Sequence, residues 1–423
     1  MSTVKPIHFI APVIALAIAG AILGAQRNSI SELEAGSTVL RQHIEAANSR
    51  PDSGQPASRS ARSNQPGKEK DAIDWKEMAE SFGDMQRTGG IKDMRKLMSF
   101  QRKIQAMDKD GLVAALDQIA ALELDDLQKT MLENMVVGLL VQKDPELALA
   151  RFAHRIGDDR TGMGWQLANA LGEWAKKDQP AAIAWFDKEI AAGTFDSKSL
   201  DGKSQVRMSF EGGLVASLLG SDPKAAEARL ATLPADQRKE VFDGFGFRQM
   251  KPDEYSAFAD LARSQLSEKE RMEVLGKQAS TIAMTGNFKK VEDYMESIAA
   301  TPEERVRSAE DAARGSILGK AFQSKITPGK IDTMREWLGT QAPGSVDKVT
   351  GETLGTVMNY GGTTKFSEAS EMLLQYHAEN GNDDLLTGFL EKAQARENKE
   401  EARAIAERIS DPERRGKALE SLK

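Results

Sequence analysis

Over residues 72–423 the large apolar side chains recur at helical spacing, and no comparable stretch alternates with period two. That restricts the region to helices packed on helices. Trp75, Met78, Phe82 and Met85 step by 3, 4 and 3, as do Leu97, Phe100, Ile104 and Met107. Start signals punctuate the pattern at Asp144-Pro145-Glu146, Asp222-Pro223, Thr301-Pro302-Glu303-Glu304, Thr327-Pro328 and Asp411-Pro412-Glu413. Each puts a capping oxygen before a proline, which at the first helical position has no amide proton to waste. Gly193, Gly286 and Gly381 fall where helices should end. The 352 residues of this region are too many for one compact bundle and suit a stacked array.

The stretch Leu140-Val-Gln-Lys-Asp144-Pro-Glu-Leu-Ala148-Leu-Ala150-Arg-Phe152 aligns with Trp174-Ala-Lys-Lys-Asp178-Gln-Pro-Ala-Ala182-Ile-Ala184-Trp-Phe186 in its cap, two alanines and one large apolar residue. Asp222, Ala226, Ala228 and Leu230 repeat the arrangement, and Asn398, Ala402 and Ala404 echo it faintly. The three clear copies lie 34 and 44 residues apart, room for one helix-turn-helix pair each. The expected fold is therefore all-α, a solenoid-like array of α-α hairpins with about nine hairpins at about 40 residues each.

This arrangement resembles the tetratricopeptide and HEAT-like helical-repeat superfamily, most closely along Trp165-Gln-Leu-Ala-Asn-Ala-Leu-Gly-Glu-Trp174 with Ala182 and Phe186. The chain also looks like bacterial membrane-anchored helical-repeat proteins that share the Trp-Ala-Lys-Lys-Asp wording of residues 174–178. The resemblance implies an extended surface that binds proteins or peptides, and implies no catalytic residue.

Ahead of the array, residues 6–26 are uncharged between Lys5 and Arg27. As a helix they would be about 31 Å long, matching a hydrocarbon core of about 30 Å. The expectation is a transmembrane anchor over residues 1–27, with residues 7–25 in the membrane. The competing reading is a signal peptide cleaved after Ala19-Gly20-Ala21. Residues 28–47 carry Ile30, Leu33, Ser37, Leu40, Ile44 and Ala47 on one seam, a short coiled-coil-like helix and a weak candidate for self-association. Residues 48–71 hold Pro51, Pro56 and Pro66 among polar residues and read as a disordered linker. The expected layout is anchor, seam, linker and a repeat domain over residues 72–423, single-pass in the cell membrane with the array on the extracytoplasmic, periplasmic side.

Composition narrows the chemistry. There is no cysteine, which excludes disulfides and thiolate sites. Residues 76–423 hold 49 basic against 57 acidic side chains, a balance that disfavours nucleic acid as a partner. No cofactor or metal motif is complete. Asp201-Gly202-Lys203-Ser204 ends like a phosphate loop but has Ser197 where that loop needs glycine. Gly244-Phe245-Gly246 lacks a third glycine at Gln249, and Ser345-Val346-Asp347-Lys348 reads as a helix start capped by Ser345. His8 and His43 fall in the anchor and the seam. His377 with Glu379, Asp383 and Asp384 is the densest group for metal or acid–base work, with His154, Asp158 and Asp159 behind it. The bland reading of Asn382, Asp383 and Asp384 is a helix N-terminus. Trp165, Trp174 and Trp185 are expected as core or inter-repeat wedges.

The markedly basic stretch Lys92, Arg95, Lys96, Arg102 and Lys103, interrupted by Asp93 and beside Met94, Met98 and Met107, is the candidate partner-binding or membrane-surface element. The leading functional expectation is a non-catalytic, membrane-tethered scaffold for a protein or peptide partner. The alternatives are a helical periplasmic enzyme acting on cell-wall polymer, and a secreted repeat protein left after signal cleavage.

Overall fold

A computed structural model of the chain describes residues 73–422 except 89–93, 157–162, 198–201, 249, 322–324, 359–363, 380–381 and 394–396. Contacts divide the chain into two units, Met1–Asp74 and Trp75–Lys423, of which only the second is described below. The expected anchor, seam and linker lie outside the described residues. Among the described residues, no helix is long and apolar enough to cross a membrane.

The described residues are all-α, with no strand among them. The first half contains α1 (Trp75–Thr88), α2 (Met94–Gln105), α3 (Lys109–Ala121), α4 (Asp126–Lys143), α5 (Pro145–Phe152), α6 (Met163–Lys177), α7 (Gln179–Ala191), α8 (Gln205–Ser221), α9 (Pro223–Ala231), α10 (Ala235–Val241) and α11 (Phe245–Arg248). The second contains α12 (Tyr255–Gln265), α13 (Glu268–Ala283), α14 (Phe288–Ser297), α15 (Pro302–Ala321), α16 (Pro328–Gln341), α17 (Val346–Val357), α18 (Phe366–Glu379), α19 (Asp383–Lys392), α20 (Lys399–Ala406) and α21 (Pro412–Ser421). Successive helices form antiparallel hairpins, and alternate helices pack side by side. Helices α4, α6 and α8 pack side by side, as do α13, α15, α17 and α19, and these two runs are termed the first layer; α5, α7, α9, α12, α14, α16, α18 and α20, which alternate with them along the chain, are termed the second.

The hairpin joint is set by a single aspartate. Asp144, Asp178 and Asp222 each end one helix and begin the next, with φ of −144°, −145° and −146° and ψ of 81°, 84° and 85°. Each aspartate N–H donates to a carbonyl four residues back, on Leu140, Trp174 or Leu218, at 2.7, 2.8 and 2.6 Å. Each carboxylate accepts an N–H three residues on, from Leu147, Ala181 or Ala225, at 3.0, 3.1 and 3.1 Å. One residue thus satisfies orphan groups of two helices, so no linking loop is needed. The aligned alanines Ala148, Ala182 and Ala226 are fully buried, and Phe152, Phe186 and Leu230 fill the core beneath them. Ala342 bends the same way, at φ −148° and ψ 70°, but has no side-chain acceptor to offer, and a 3-10 turn (Pro343–Ser345) follows it.

Two expected caps differ. Thr327 starts α16 without a side-chain bond to that helix. Ser345 precedes α17 but sends its hydroxyl to Glu310 Oε1 at 2.6 Å, across to α15, because its own backbone is helical and points the oxygen away from the new helix. Trp174 is buried beside Trp185, ring centroids 6.1 Å apart, whereas Trp165, expected as a core or inter-repeat wedge, is 46% exposed.

Within the first layer the backbones meet through glycine. A Cβ on Gly315 of α15 would lie 2.5 Å from the Ser280 carbonyl oxygen of α13, and one on Gly319 would lie 2.9 Å from that of Met284. The matched steps of four on both helices show that α13 and α15 run parallel, one repeat apart. A Cβ on Gly351 of α17 would run into Leu385 O of α19, and one on Gly172 of α6 would lie 2.8 Å from Gly213 O of α8. Real Cβ atoms do not tolerate such distances, so these positions admit only glycine at this helix spacing. Gly244 and Gly246, the incomplete dinucleotide motif, are used in the same way against Gly212 and Ala216 of α8.

Two contrasts test this account. Gly351→Ala should cost roughly 3 kcal/mol or prevent folding, whereas Gly416→Ala in open space on α21 should stabilise by up to about 1 kcal/mol, both read from urea unfolding. Asp178→Ala and Asp222→Ala should each lose about 1 kcal/mol, while Thr327→Ala should stay within about 0.5 kcal/mol of the parent in the same assay.

Candidate functional site

Helices α16 and α18 are neighbours in the second layer. The buried stripe of α16 is Ile331, Met334 and Leu338, which leaves Asp332, Arg335 and Glu336 on other faces of the helix. With Tyr376 and Glu379 of α18 they line a surface cleft of about 220 Å³.

The walls of the cleft are held by a network that crosses four helices. Tyr376, only 7% exposed, donates its hydroxyl proton to Asp332 Oδ1 at 2.7 Å. The Arg335 guanidinium lies 4.9 Å from the Tyr376 ring centroid and donates to Thr350 Oγ1 at 2.9 Å and Asp347 Oδ1 at 3.0 Å, both on α17. Asp347 Oδ2 accepts the Asn382 N–H ahead of α19 at 3.3 Å. Burial pushes the Tyr376 phenol up, and its bond to the Asp332 carboxylate pushes it further, so it stays a neutral donor at neutral pH. Arg335 is likewise spent on its partners. The exposed Glu336 and Glu379 and the second oxygen of Asp332 supply acceptors and negative charge along the cleft, a lining suited to an extended cation such as a lysine or arginine side chain.

The other expected site residues fall in separate places. His377 is half-buried next to Tyr376, and Glu379 lines the cleft, but Asp383 accepts the Ser410 and Asp411 N–H groups, both at 2.8 Å. Asp384 binds Arg414 at 2.6 Å, and Asn382 caps α19 through the Asp384 N–H at 2.8 Å. Among the described residues, no group of three His, Asp or Glu is placed to hold a metal ion. His154 is exposed, and Asp158 and Asp159 lie outside the described residues. Lys203 reaches Asp236 and Glu240 at 3.3 Å each, and Ser204 caps α8, which accounts for the apparent phosphate-loop tail.

Of the basic stretch, Lys92 lies outside the described residues, and Arg95 and Lys96 stand in the first turn of α2. Arg102 is exposed and bonds only weakly to the Met98 carbonyl, at 3.4 Å, while Lys103 is half-exposed. Phe100 and Ile104 form the buried edge of α2, and Met98 is 43% exposed.

A set of buried carboxylates went unread in the sequence. Glu211 is fully buried and gripped by Arg229 at 2.8 and 3.0 Å. Glu304, 1% exposed, accepts from Arg263 at 3.2 and 2.7 Å and from the Thr301 N–H at 3.1 Å, and it tethers α12 to α15. Glu352 takes two bonds from Arg314, at 2.9 and 2.6 Å, and ties α15 to α17. A lone acid inside an apolar helix face was the available signal, as in Phe210-Glu211-Gly212. Burial would raise the Glu304 carboxyl, but the Arg263 and Thr301 bonds, with the charge of Arg271 beyond, outweigh it and hold the group below the usual carboxylate range. At Asp311 burial prevails over Arg307 and Arg314, and the carboxyl is raised.

Because Glu304 is depressed in the fold, its contribution is present above the unfolded carboxylate value, about 4.3, and fades as pH falls through the lower folded value. Arg263→Ala should therefore cost about 3 kcal/mol at neutral pH and markedly less at the acid end, measured by urea unfolding across pH.

No family model, curated protein or solved structure matches this chain. The fold itself defines the class, an all-α array of helical hairpins.

Proposed function

We propose that the protein is a non-catalytic helical-repeat scaffold, tethered to the cell membrane through residues 7–25 with its array on the extracytoplasmic side. There it binds a protein or peptide partner, and the cleft between α16 and α18 receives a basic side chain of that partner. In this reading the chain belongs with bacterial membrane-anchored repeat proteins. The observation that carries it is the division of labour in the cleft. Tyr376 and Arg335 are committed to neighbouring helices, while Glu336, Glu379 and one oxygen of Asp332 add negative charge at the surface. Walls fixed before binding spare the ordering cost of assembling a site, and a rim of like charges selects by sign.

A displayed library of random peptides, selected on the full chain, should enrich lysine- and arginine-containing sequences. Glu336→Gln with Glu379→Gln should weaken the selected peptides about tenfold or more and flatten their salt dependence. Selected peptides without basic residues, or affinity unchanged in the double variant, would remove the cleft from the account.

A further inference from the structure

Helix α2 differs from its surroundings in charge. It contains Arg95, Lys96, Arg102 and Lys103 and no acid, in a region that holds 49 basic against 57 acidic side chains. Helix stability accounts for only half of that set, since Arg102 and Lys103 stand in the last turn, where cations suit the dipole, and Arg95 and Lys96 do not. Cations in the first turn oppose the helix dipole, and without an acid α2 can make no ion pair along its own length. Its apolar edge is divided as well. Phe100 and Ile104 are buried in the array, whereas Met98 is 43% exposed, one helical turn from the exposed Arg102. Among the described residues Arg102 donates to the Met98 carbonyl alone, at 3.4 Å, which leaves most of its guanidinium hydrogen-bonding capacity for the surface.

We infer that α2 is a membrane-surface element that rests Arg102 and Lys103 on anionic lipid headgroups and inserts Met98 at their boundary with the acyl chains. The inference rests on the proposed tether, which brings a bilayer within reach of the array. An unbranched thioether among cations suits the interface, where a flexible apolar side chain enters the headgroup layer and lysine and arginine reach phosphates. Complementarity of charge also orients the array. An acidic body is repelled by an anionic leaflet and α2, with four cations and no acid, is attracted, so α2 faces the bilayer and the rest of the array faces away.

The chain has no cysteine, so Met98→Cys accepts a single environment-sensitive fluorophore in the full-length protein. The labelled chain is mixed with phosphatidylcholine vesicles, and with vesicles containing about 30% phosphatidylglycerol, a composition that gives the surface a negative potential. Flotation with the neutral vesicles reports the anchor, and emission at position 98 reports α2, so the two readings fail separately. The expected result is a blue shift only on anionic vesicles, reversed by about 0.5 M salt and shifted to roughly thirtyfold more anionic lipid in Arg102→Gln with Lys103→Gln. Equal emission on both vesicle types overturns the inference. So does a shift produced by soluble polyglutamate and not by anionic vesicles, which would assign α2 to an acidic protein partner.

Discussion

The structure depends on how closely parallel helices of the first layer can approach. Where Gly315 faces Ser280, Gly351 faces Leu385 and Gly172 faces Gly213, the separation is set by backbone atoms and not by side chains. A helix pair so closely apposed gains dispersion and weak Cα–H···O contacts along its length, and its register is locked, because a shift of one residue would drive a side chain into a carbonyl. Helices of the second layer meet instead through side-chain bonds such as Trp337 to Glu292 and Tyr376 to Asp332.

Polar bonds then tie each repeat to the next. Side-chain hydrogen bonds link Arg229 to Asp187, Gln265 to Glu227, Trp337 to Glu292 and Tyr376 to Asp332, over separations of 42, 38, 45 and 44 residues. Glu227, Glu292 and Asp332 each stand five positions past the residue that opens their helix, Asp222, Asn287 and Thr327. The same helical face thus offers an acceptor to the following hairpin at three points in the stack. The cleft between α16 and α18 lies at one of these junctions and has acids at its rim. A candidate binding feature has arisen from the inter-repeat bonding pattern without any departure from it.

Much of the local architecture was legible before the structure. Asp144, Asp178 and Asp222 announced their joints because a capping carboxylate and an adjacent proline are local requirements. The common φ and ψ followed from those requirements. The glycine pairs were as visible in the letters, Gly315 to Gly319 and Gly351 to Gly355, yet their meaning needs the identity of the facing helix, whose contacting residues lie 34 or 35 positions away. Tyr376 and Asp332 illustrate the same limit, since no local pattern pairs residues 44 positions apart. His377, Glu379, Asp383 and Asp384 looked like a group because they are close in sequence. A helix end between them separates them, and the N–H groups of Ser410 and Asp411 claim Asp383. Trp165 was misplaced because helical spacing says which residues share a face and not which face the neighbours cover.

The distance over which these bonds reach has a kinetic consequence. The cross-repeat side-chain bonds named above join residues about one hairpin apart, so no such native contact needs the ends of the array to find each other. Folding in such a chain can start wherever two hairpins first meet and spread outward, and thermal opening can begin at an end and retreat one unit at a time. A pull applied to one terminus would be absorbed by the outermost hairpins while the interior kept its shape. The aspartate joints, having no loop to stretch, would make each loss a discrete step.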